Sequence, residues 1–280
     1  MKTFRFIEMA LLAVVMCVAS CSSDDEEDNS IKNDDGIVTN QKKLMEIKMV
    51  DDNGESIITE YSYGSNEKLL SATRTELYDG KENIRTYTIT WGTNKIIENK
   101  DGRAITYTFE DGLITHTSDN KGGDLGNAAL TYNSNKQLIK CQEIDIITNY
   151  IYTQSYIWQG EKLTKLIENV TANYNQYSEE YIDEYTYSGK TCKGYLPIMV
   201  WNVDDLRPLL EAHPELVGMR CNQLPDQISY KNDSYETIEK YTYTFDKDGY
   251  IESCTEESTY KHLDINETRT ETTVYTFTWE

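Results

Sequence analysis

Proline is scarce in this chain, and its distribution is uneven. The 280 residues include four prolines, and all of them lie in one late segment: Pro197, Pro208, Pro214 and Pro225. Because proline cannot donate a backbone hydrogen bond, it is excluded from the middle of a β-sheet. The long proline-free region before this segment can therefore form sheet throughout its length.

Residues that usually carry chemistry are also few. The three histidines, at positions 116, 213 and 262, are far apart, and the four cysteines that follow Cys21, at positions 141, 192, 221 and 254, lack the close spacing of a zinc or redox pair. The sequence contains no phosphate-binding glycine loop, no nucleophile elbow and no zinc-binding helix motif. We therefore predict no catalytic residue, no metal ligand and no cofactor.

Basic residues are outnumbered, with 27 Lys and Arg against 48 Asp and Glu, a net charge of -21. Such a chain repels phosphate backbones, which excludes nucleic acid as a partner. Aromatic residues, by contrast, make up 11% of the chain and include 22 tyrosines. A disordered chain would be poor in aromatics, so the composition indicates a folded domain.

The N-terminus has the order of a secretory signal. Lys2 and Arg5 precede an apolar run from Met9 to Ala19, which is too short to span a bilayer. Val18-Ala19-Ser20-Cys21 resembles the lipobox of bacterial lipoproteins. The resemblance implies cleavage after residue 20 and acylation of Cys21 with palmitate-type chains, which would anchor the protein in a membrane. The alternative is an ordinary signal peptide with an incidental cysteine.

An acidic run follows the cysteine directly. Its residues resemble the surface-export signal of Bacteroidetes outer-membrane lipoproteins: Ser22, Ser23, Asp24, Asp25, Glu26 and Glu27. The alternative is a solvated tether that carries no address. We interpret residues 1–20 as a lipoprotein signal peptide and residues 21–42 as the lipidated cysteine with a flexible acidic tether.

Hairpin units recur along the rest of the chain. Aromatic residues alternate with Thr or Ser, as in Tyr61-Ser62-Tyr63 and Tyr241-Thr242-Tyr243, and turn residues follow. This alternation places the rings on one face of a strand. The units start about 20 to 30 residues apart, which leaves no room for crossover helices. We predict an all-β domain over residues 43–280, an antiparallel meander of about fourteen to eighteen strands in a twisted or curled sheet. Closure into a barrel stays open.

The pattern stops in an insertion at about residues 196–227. Asp204 or Asp205 can cap a short helix near residues 203–217, with Pro208 in its first turn and Pro214 at its end. We expect this helix to cover one end or face of the sheet. With the lipobox and the hairpins, this segment resembles a group of uncharacterised Bacteroidetes outer-membrane lipoproteins that carry a β-rich domain of unknown function. The hairpins are also distantly similar to tyrosine-aspartate repeats.

Few residues stand out as candidates for a site. Cys141 and Cys254 lie nine residues after an aromatic residue in their units, which indicates equivalent core positions. Cys192 and Cys221 are the first candidates for a disulfide. Trp91 and Trp158, beside turns, are candidates for stacking on sugar rings.

Two Asp-rich loops, at residues 51–54 and 246–249, are candidates for calcium binding. Both lack the later bidentate Glu of a dedicated calcium loop. We therefore predict that they are turns.

The function expected from these features is non-enzymatic. We expect a surface-exposed, lipid-anchored outer-membrane protein that binds or scaffolds, with a glycan or an envelope protein as partner. One alternative is an envelope glycan hydrolase, which would need two carboxylates in a cleft. Another is a periplasm-facing, chaperone-like assembly lipoprotein, which would need an apolar groove. The ligand and the oligomeric state are not specified by the sequence.

Overall fold

The computed structural model describes residues 42–120, 127–145, 150–172, 178–193, 207–219, 223–232 and 234–280. Several positions singled out above lie outside these ranges. They are the signal peptide, Cys21 with the acidic run, the proposed helix caps Asp204 and Asp205, and Cys221.

The described residues form sixteen β-strands, which are β1 Leu44–Asp51, β2 Ser56–Tyr63, β3 Leu69–Tyr78, β4 Lys81–Trp91, β5 Lys95–Lys100, β6 Arg103–Glu110, β7 Leu113–Asp119, β8 Asn127–Tyr132, β9 Leu138–Ile144, β10 Tyr150–Gln159, β11 Lys162–Ala172, β12 Ser178–Thr186, β13 Gln227–Lys231, β14 Tyr235–Phe245, β15 Ile251–His262 and β16 Glu267–Trp279. One short helix, α1 Pro208–Ala212, and a 3-10 turn, Pro214–Val217, stand between β12 and β13. Among the described residues, no helix has the length and apolarity needed to cross a bilayer.

Each strand pairs antiparallel with its sequence neighbours, and β1 pairs with β16 to close the sheet into a barrel. The seam continues into the termini, where Lys43 and Glu280 exchange two backbone hydrogen bonds of 2.6 and 2.9 Å. The prediction of an all-β antiparallel meander is confirmed. Closure, which the sequence left open, removes both sheet edges.

The turns divide the barrel into two ends. The turns that follow the aromatic motifs, such as 63–69 and 245–251, lie at one end together with the insertion and both described termini. We call this the plug end. The turns at the opposite end, such as 51–56 and 262–267, surround what we call the mouth.

Side chains alternate between the barrel interior and solvent. In β14, Glu239 and Tyr241 are buried while Lys240 and Thr242 are exposed, as a period of two requires. The buried rings lie inside, and the exposed positions carry mainly hydroxyls and charges. Exposed threonines occur on strands all round the wall: Thr88, Thr108, Thr131, Thr186, Thr242 and Thr276.

A ring of eight aromatic side chains, the rim aromatics, marks the plug end. They pack against the core from the last residues of alternate strands or just beyond them: Tyr63, Trp91, Phe109, Tyr132, Trp158, Tyr187, Tyr243 and Trp279. All except Phe109 donate a side-chain hydrogen bond of 2.5 to 2.8 Å to a carbonyl at or near the start of the preceding outgoing strand. Each of these bonds connects two neighbouring hairpins of the plug end. It also gives the hydroxyl or indole N–H of the aromatic side chain a hydrogen-bond partner.

The described part of the insertion, Arg207–Met219, plugs this end, and we call it the plug. Pro208 occupies the first turn of α1 as predicted, and Pro214 begins the 3-10 turn. The prediction that Asp204 or Asp205 caps this helix is wrong, because α1 begins later and Arg207 stands at its N-cap without a side-chain cap bond. The predicted single helix over 203–217 is thus two shorter pieces in its described part, because Pro214 cannot continue the hydrogen bonding of α1. All five residues of α1 are buried, so the helix covers the core as expected.

Candidate functional site

The plug brings a buried ion pair into the barrel. Arg74 on β3 and Glu211 on α1 meet at 2.8 Å, with side chains 3% and 6% exposed. Tyr61 donates its hydroxyl to the other oxygen of Glu211, and the Arg74 Nε donates to Thr59 at 3.2 Å. These bonds satisfy both charges, so the pair fixes the plug against β2 and β3.

A second basic residue enters the core beside it. The Arg207 guanidinium is 3.4 Å from the hydroxyl of Tyr107, which lies 3.2 Å from Glu98 on β5. Burial raises the pKa of Glu98, and the charge of Arg207 opposes that rise. At this end of the interior each buried acid therefore has a cation, Arg74 of the wall for Glu211 and Arg207 of the plug for Glu98.

The interior acids on β12, β14 and β15 lie near other acids and hydroxyl groups. Asp183, Glu239 and Glu256, which we call the acid cluster, all point inward, and their burial increases with depth below the mouth. Asp183 is partly exposed, Glu239 is 7% exposed and Glu256 is 1% exposed. The strand registers place Tyr185, Ile228, Glu239 and Ser258 in one row, with Glu256 one step deeper.

The hydrogen bonds of this cluster come from hydroxyls. Tyr241 donates to Glu239 at 2.7 Å, and Ser258 donates to one oxygen of Glu256. Within the described residues, the other oxygen of Glu256 and the hydroxyl of Tyr185 are buried with no hydrogen-bond partner. Two polar atoms in the same region thus lack the partner that buried polar groups normally have.

Burial and mutual repulsion make these acids weak. Burial, followed by the charges of Glu239 and Glu168, raises the pKa of Asp183 to about 7. Burial and the charge of Glu239 raise the pKa of Glu256 to about 8, and burial raises the pKa of Glu239. A cation placed among them would favour their ionised forms.

The charged pairs nearest the mouth do not neutralise the acid cluster. Arg269 on β16 pairs with Glu271, and its side chain is 58% exposed. Glu168 accepts a hydrogen bond of 2.9 Å from Gln154. No group of three or more His, Cys, Asp or Glu among the described residues is arranged to hold a metal ion.

The two candidate tryptophans are rim aromatics. Trp91 donates its indole N–H to Leu69 at 2.8 Å and packs edge-on against His213, while the Lys68 ammonium lies 5.2 Å from its ring centre. Trp158 donates to Leu138 at 2.7 Å. Both rings are half-buried, and their hydrogen bonds connect neighbouring strands of the barrel wall. Stacking of these rings on a sugar stays a prediction.

The cysteines and the Asp-rich loops have structural positions. Cys141 and Cys254 are buried thiols in the core, as the alignment of their units predicted, and each stands two residues before a buried Glu. Cys192 is buried too, but its proposed disulfide partner Cys221 lies outside the described residues. Asp51 and Asp246 each accept two backbone N–H bonds from their own loops, so the prediction of turns is confirmed.

Sequence reasoning missed the acid cluster, although the signal for it was present. Asp183 and Glu239 stand two residues before the buried Tyr185 and Tyr241, and Glu256 stands two after the buried Cys254. The period of two that places the rings inside places these carboxylates inside as well. In a chain with 48 acidic residues, only this spacing separates them from surface acids.

A depression of about 340 Å³ lies on the outer wall in the described part of the chain. It lies between β1 and β16 and is lined by Lys48, Val50, Val274 and neighbouring threonines. The two valines do not amount to the apolar groove that a chaperone-like protein would need.

Comparison with known proteins finds a fold relative. The chain is similar to a porin-like protein from Bacteroides uniformis, with 18% identity and a TM-score of 0.62 over 85% of this chain and 98% of that one. No family model matches the chain. No curated protein matches it either. At this identity the likeness shows a shared barrel fold.

Proposed function

We propose that the protein is a lipid-anchored barrel of the bacterial outer membrane that stands in water and acts by binding rather than catalysis. One observation carries the proposal: the rings lie inside the wall and the hydroxyls outside. A barrel that crosses a bilayer needs the reverse, with an apolar band about 25 Å tall on its outer wall. The exposed threonines, glutamates and lysines of this wall would be costly to place in hydrocarbon.

The fold relative supports a place in the cell envelope without requiring a pore. Its printed description as porin-like concerns that protein, and the shared feature is the barrel. Large apolar side chains do occur on the exposed face here, for instance Ile84, Ile144 and Ile157, but they are scattered over different strands. Single exposed apolar residues are ordinary on a water-facing surface.

The proposed anchor would attach at the plug end. The Lys42 ammonium lies 2.8 Å from Asp246 and 2.6 Å from Asp248, and the backbone N–H of Lys42 donates to Tyr250. These contacts hold the start of the described chain against the β14–β15 turn. An acylated Cys21 would therefore tether the plug end to the membrane and leave the mouth turned toward solvent.

The buried setting of the interior acids favours binding over glycan hydrolysis. A glycosidase needs two carboxylates on either side of a sugar in an open cleft. In this barrel Glu239 and Glu256 are covered by neighbouring side chains. A small ligand fits such a setting better than a polysaccharide.

The anchor is tested by membrane fractionation of bacteria that express the full chain. We expect Cys21→Ala, once its signal peptide has been removed, to move from the membrane fraction to the soluble fraction, because the outer wall of the described barrel is polar. The matched control is Cys17→Ala, which lies inside the apolar run and should leave the protein in the membrane. Retention of Cys21→Ala in the membrane after a high-salt wash would contradict the proposal.

Surface exposure is tested by protease treatment of intact cells. Proteinase K should degrade the full chain without permeabilisation. Replacement of Asp24, Asp25, Glu26 and Glu27 by Ala should leave the protein anchored but protected, if the acidic run is its export signal. Protection of the unchanged chain in intact cells would contradict the surface location.

A further inference from the structure

The acid cluster is an unusual arrangement for a merely structural core. Three inward carboxylates on β12, β14 and β15 share one side of the barrel, and their burial increases from Asp183 to Glu256. Buried acids normally sit beside a cation or accept enough hydrogen bonds to offset the lost solvation. At the plug end such partners exist, because Arg74 of β3 pairs with Glu211 of the plug and Arg207 of the plug acts on Glu98, but the acid cluster lies nearer the mouth.

Two buried polar atoms beside the acid cluster have unused hydrogen-bonding capacity. One oxygen of Glu256 and the hydroxyl of Tyr185 are buried without a hydrogen bond, and Tyr185 lies in the same inward row as Glu239. Tyr185 is 6% exposed, and its hydroxyl can accept as well as donate. Two N–H donors of one extended ligand, one beside each atom, would satisfy them.

Phenol rings surround the same region. Tyr241 and Tyr275 are 4% and 8% exposed, and the charges of Glu239 and Glu256 act on both of them. Aromatic faces attract ammonium groups and cover the methylene carbons between them. Phenols and carboxylates together therefore suit an organic cation with an apolar stem.

We propose that the acid cluster binds an aliphatic amine with two or more protonated nitrogens, which enters from the mouth. One ammonium group meets Glu239 and Glu256 at depth, and another meets Asp183 nearer to solvent. The proposal rests on the binding role proposed above and names its ligand class. The absence of a compact metal-ligand group in the described residues favours an extended amine over a single metal ion.

Binding should also move protons. Asp183 and Glu256, with pKa values near 7 and 8, are partly protonated at neutral pH, and a bound ammonium would favour their ionised forms. The amine should therefore release protons to the buffer on binding. This signature separates the interior acids from surface carboxylates, which are already ionised.

The test is isothermal titration of the purified full chain, in a neutral detergent at neutral pH, with spermidine as the probe. We expect saturable binding whose observed heat changes between phosphate and Tris buffers, because the two buffers differ in ionisation enthalpy. Glu239→Gln and Glu256→Gln keep the side-chain shape and remove the charge. Each should weaken binding by at least about tenfold.

The matched control is Glu257→Gln, which removes an exposed carboxylate from the same strand as Glu256 and should leave the affinity unchanged. Unchanged affinity in both interior variants would assign the binding to surface acids and overturn the proposal. The absence of spermidine binding to the folded protein would overturn it too, as would calcium or magnesium binding that excludes spermidine. Fractionation of Cys21→Ala measures membrane attachment, whereas the titration measures amine binding. Failure of the anchoring proposal is therefore distinguishable from failure of the amine-binding proposal.

Discussion

At the scale of single residues, charge burial separates the two halves of the barrel interior. Glu211 and Arg74 are buried as an ion pair, whereas Glu256 is buried among other acids. The first arrangement stabilises the plug as long as both partners are present. The second favours the protonated form of the acids. Substitution by Gln should therefore lower the free energy of unfolding at Glu211 and raise it at alkaline pH in the acid cluster.

Removal of one charge from the buried pair should be costly. Glu211→Gln leaves Arg74, which cannot deprotonate, buried beside a neutral amide. We expect the free energy of unfolding to fall by about 3 to 5 kcal/mol in urea denaturation. The control Glu184→Gln breaks the exposed 2.8 Å pair with Lys165 and should cost less than about 1 kcal/mol.

Adding Arg74→Met to Glu211→Gln should recover part of this loss, because the uncompensated charge is then gone. Equal stability of Glu211→Gln and Glu184→Gln would contradict the assignment.

The acid cluster should make the protein less stable as pH rises. Unfolded carboxyl groups titrate near pH 4, while the folded pKa values of Asp183 and Glu256 are about 7 and about 8. Between these limits the folded state binds more protons than the unfolded state, so the free energy of unfolding falls with rising pH, and the loss is complete only above about pH 8. We expect a decrease of about 2 kcal/mol or more between pH 5 and pH 9.

Substitution by Gln separates this effect from general repulsion in an acidic protein. Glu239→Gln combined with Glu256→Gln should flatten the pH dependence and raise stability at pH 9. The groups that face the cluster and titrate or carry charge are Glu168, Tyr185, Tyr241, Cys254, Tyr260, Arg269, Glu271 and Tyr275. An unchanged slope in the double variant would mean that these neighbours or the surface carry the effect.

At the scale of elements, the hairpins could be predicted from the sequence, but the hydrogen bonds that connect one hairpin to the next could not. Alternating rings and turn residues mark strands and turns locally, so Tyr241 to Phe245 could be assigned to a strand from the sequence alone. The bond from the Trp158 indole to the Leu138 carbonyl joins residues 20 positions apart in different hairpins. Such contacts depend on the stagger between strands, which local patterns do not specify.

The turn at Gly218, which ends the 3-10 turn of the plug, should lose stability when a Cβ atom is added there. Gly218 has a φ of 64°, and a Cβ there would lie 2.3 Å from the Lys136 carbonyl oxygen and 3.0 Å from the Tyr132 ring. Gly160 has a φ of 62°, with nothing within 4 Å of the same position. Gly160→Ala should cost about 1 to 2 kcal/mol for the left-handed backbone alone.

Gly218→Ala carries the same backbone cost and a clash with a carbonyl oxygen of the wall. We therefore expect a larger loss of thermal stability and faster hydrogen exchange in α1 than in the Gly160 variant. Equal effects of the two substitutions would show that Gly218 does not pack against Tyr132 and the β8–β9 turn.

At the scale of the whole molecule, the ends of the chain complete the fold. In the sequence, Tyr275 to Trp279 is a last strand with no following partner, and in the barrel its partner is β1. Whether a meander closes depends on the total strand number and stagger, so no single unit encodes it. The acid cluster has the same origin, because Asp183 and Glu256 both come close to Glu239 only when β12 to β15 curve round one interior.

Loss of the closing strand should be far more damaging than its share of the chain suggests. A chain truncated before Glu267 would expose one edge on β1 and another on β15, and both would carry unpaired backbone groups. We expect this truncation to aggregate, as measured by size-exclusion chromatography of the refolded protein.

A circular permutant keeps all sixteen strands and supplies the control. The chain is opened within the exposed turn 263–266, and Glu280 is joined by a short linker to Lys42, which lies beside the hydrogen-bonded Lys43. In this order β16 precedes β1, and the seam becomes an ordinary hairpin. We expect a monomeric barrel, because β15 and β16, now the last and the first strand, can still pair and close the ring. Aggregation of the permutant as well would mean that the β15–β16 hairpin, rather than closure of the ring, is what the barrel requires.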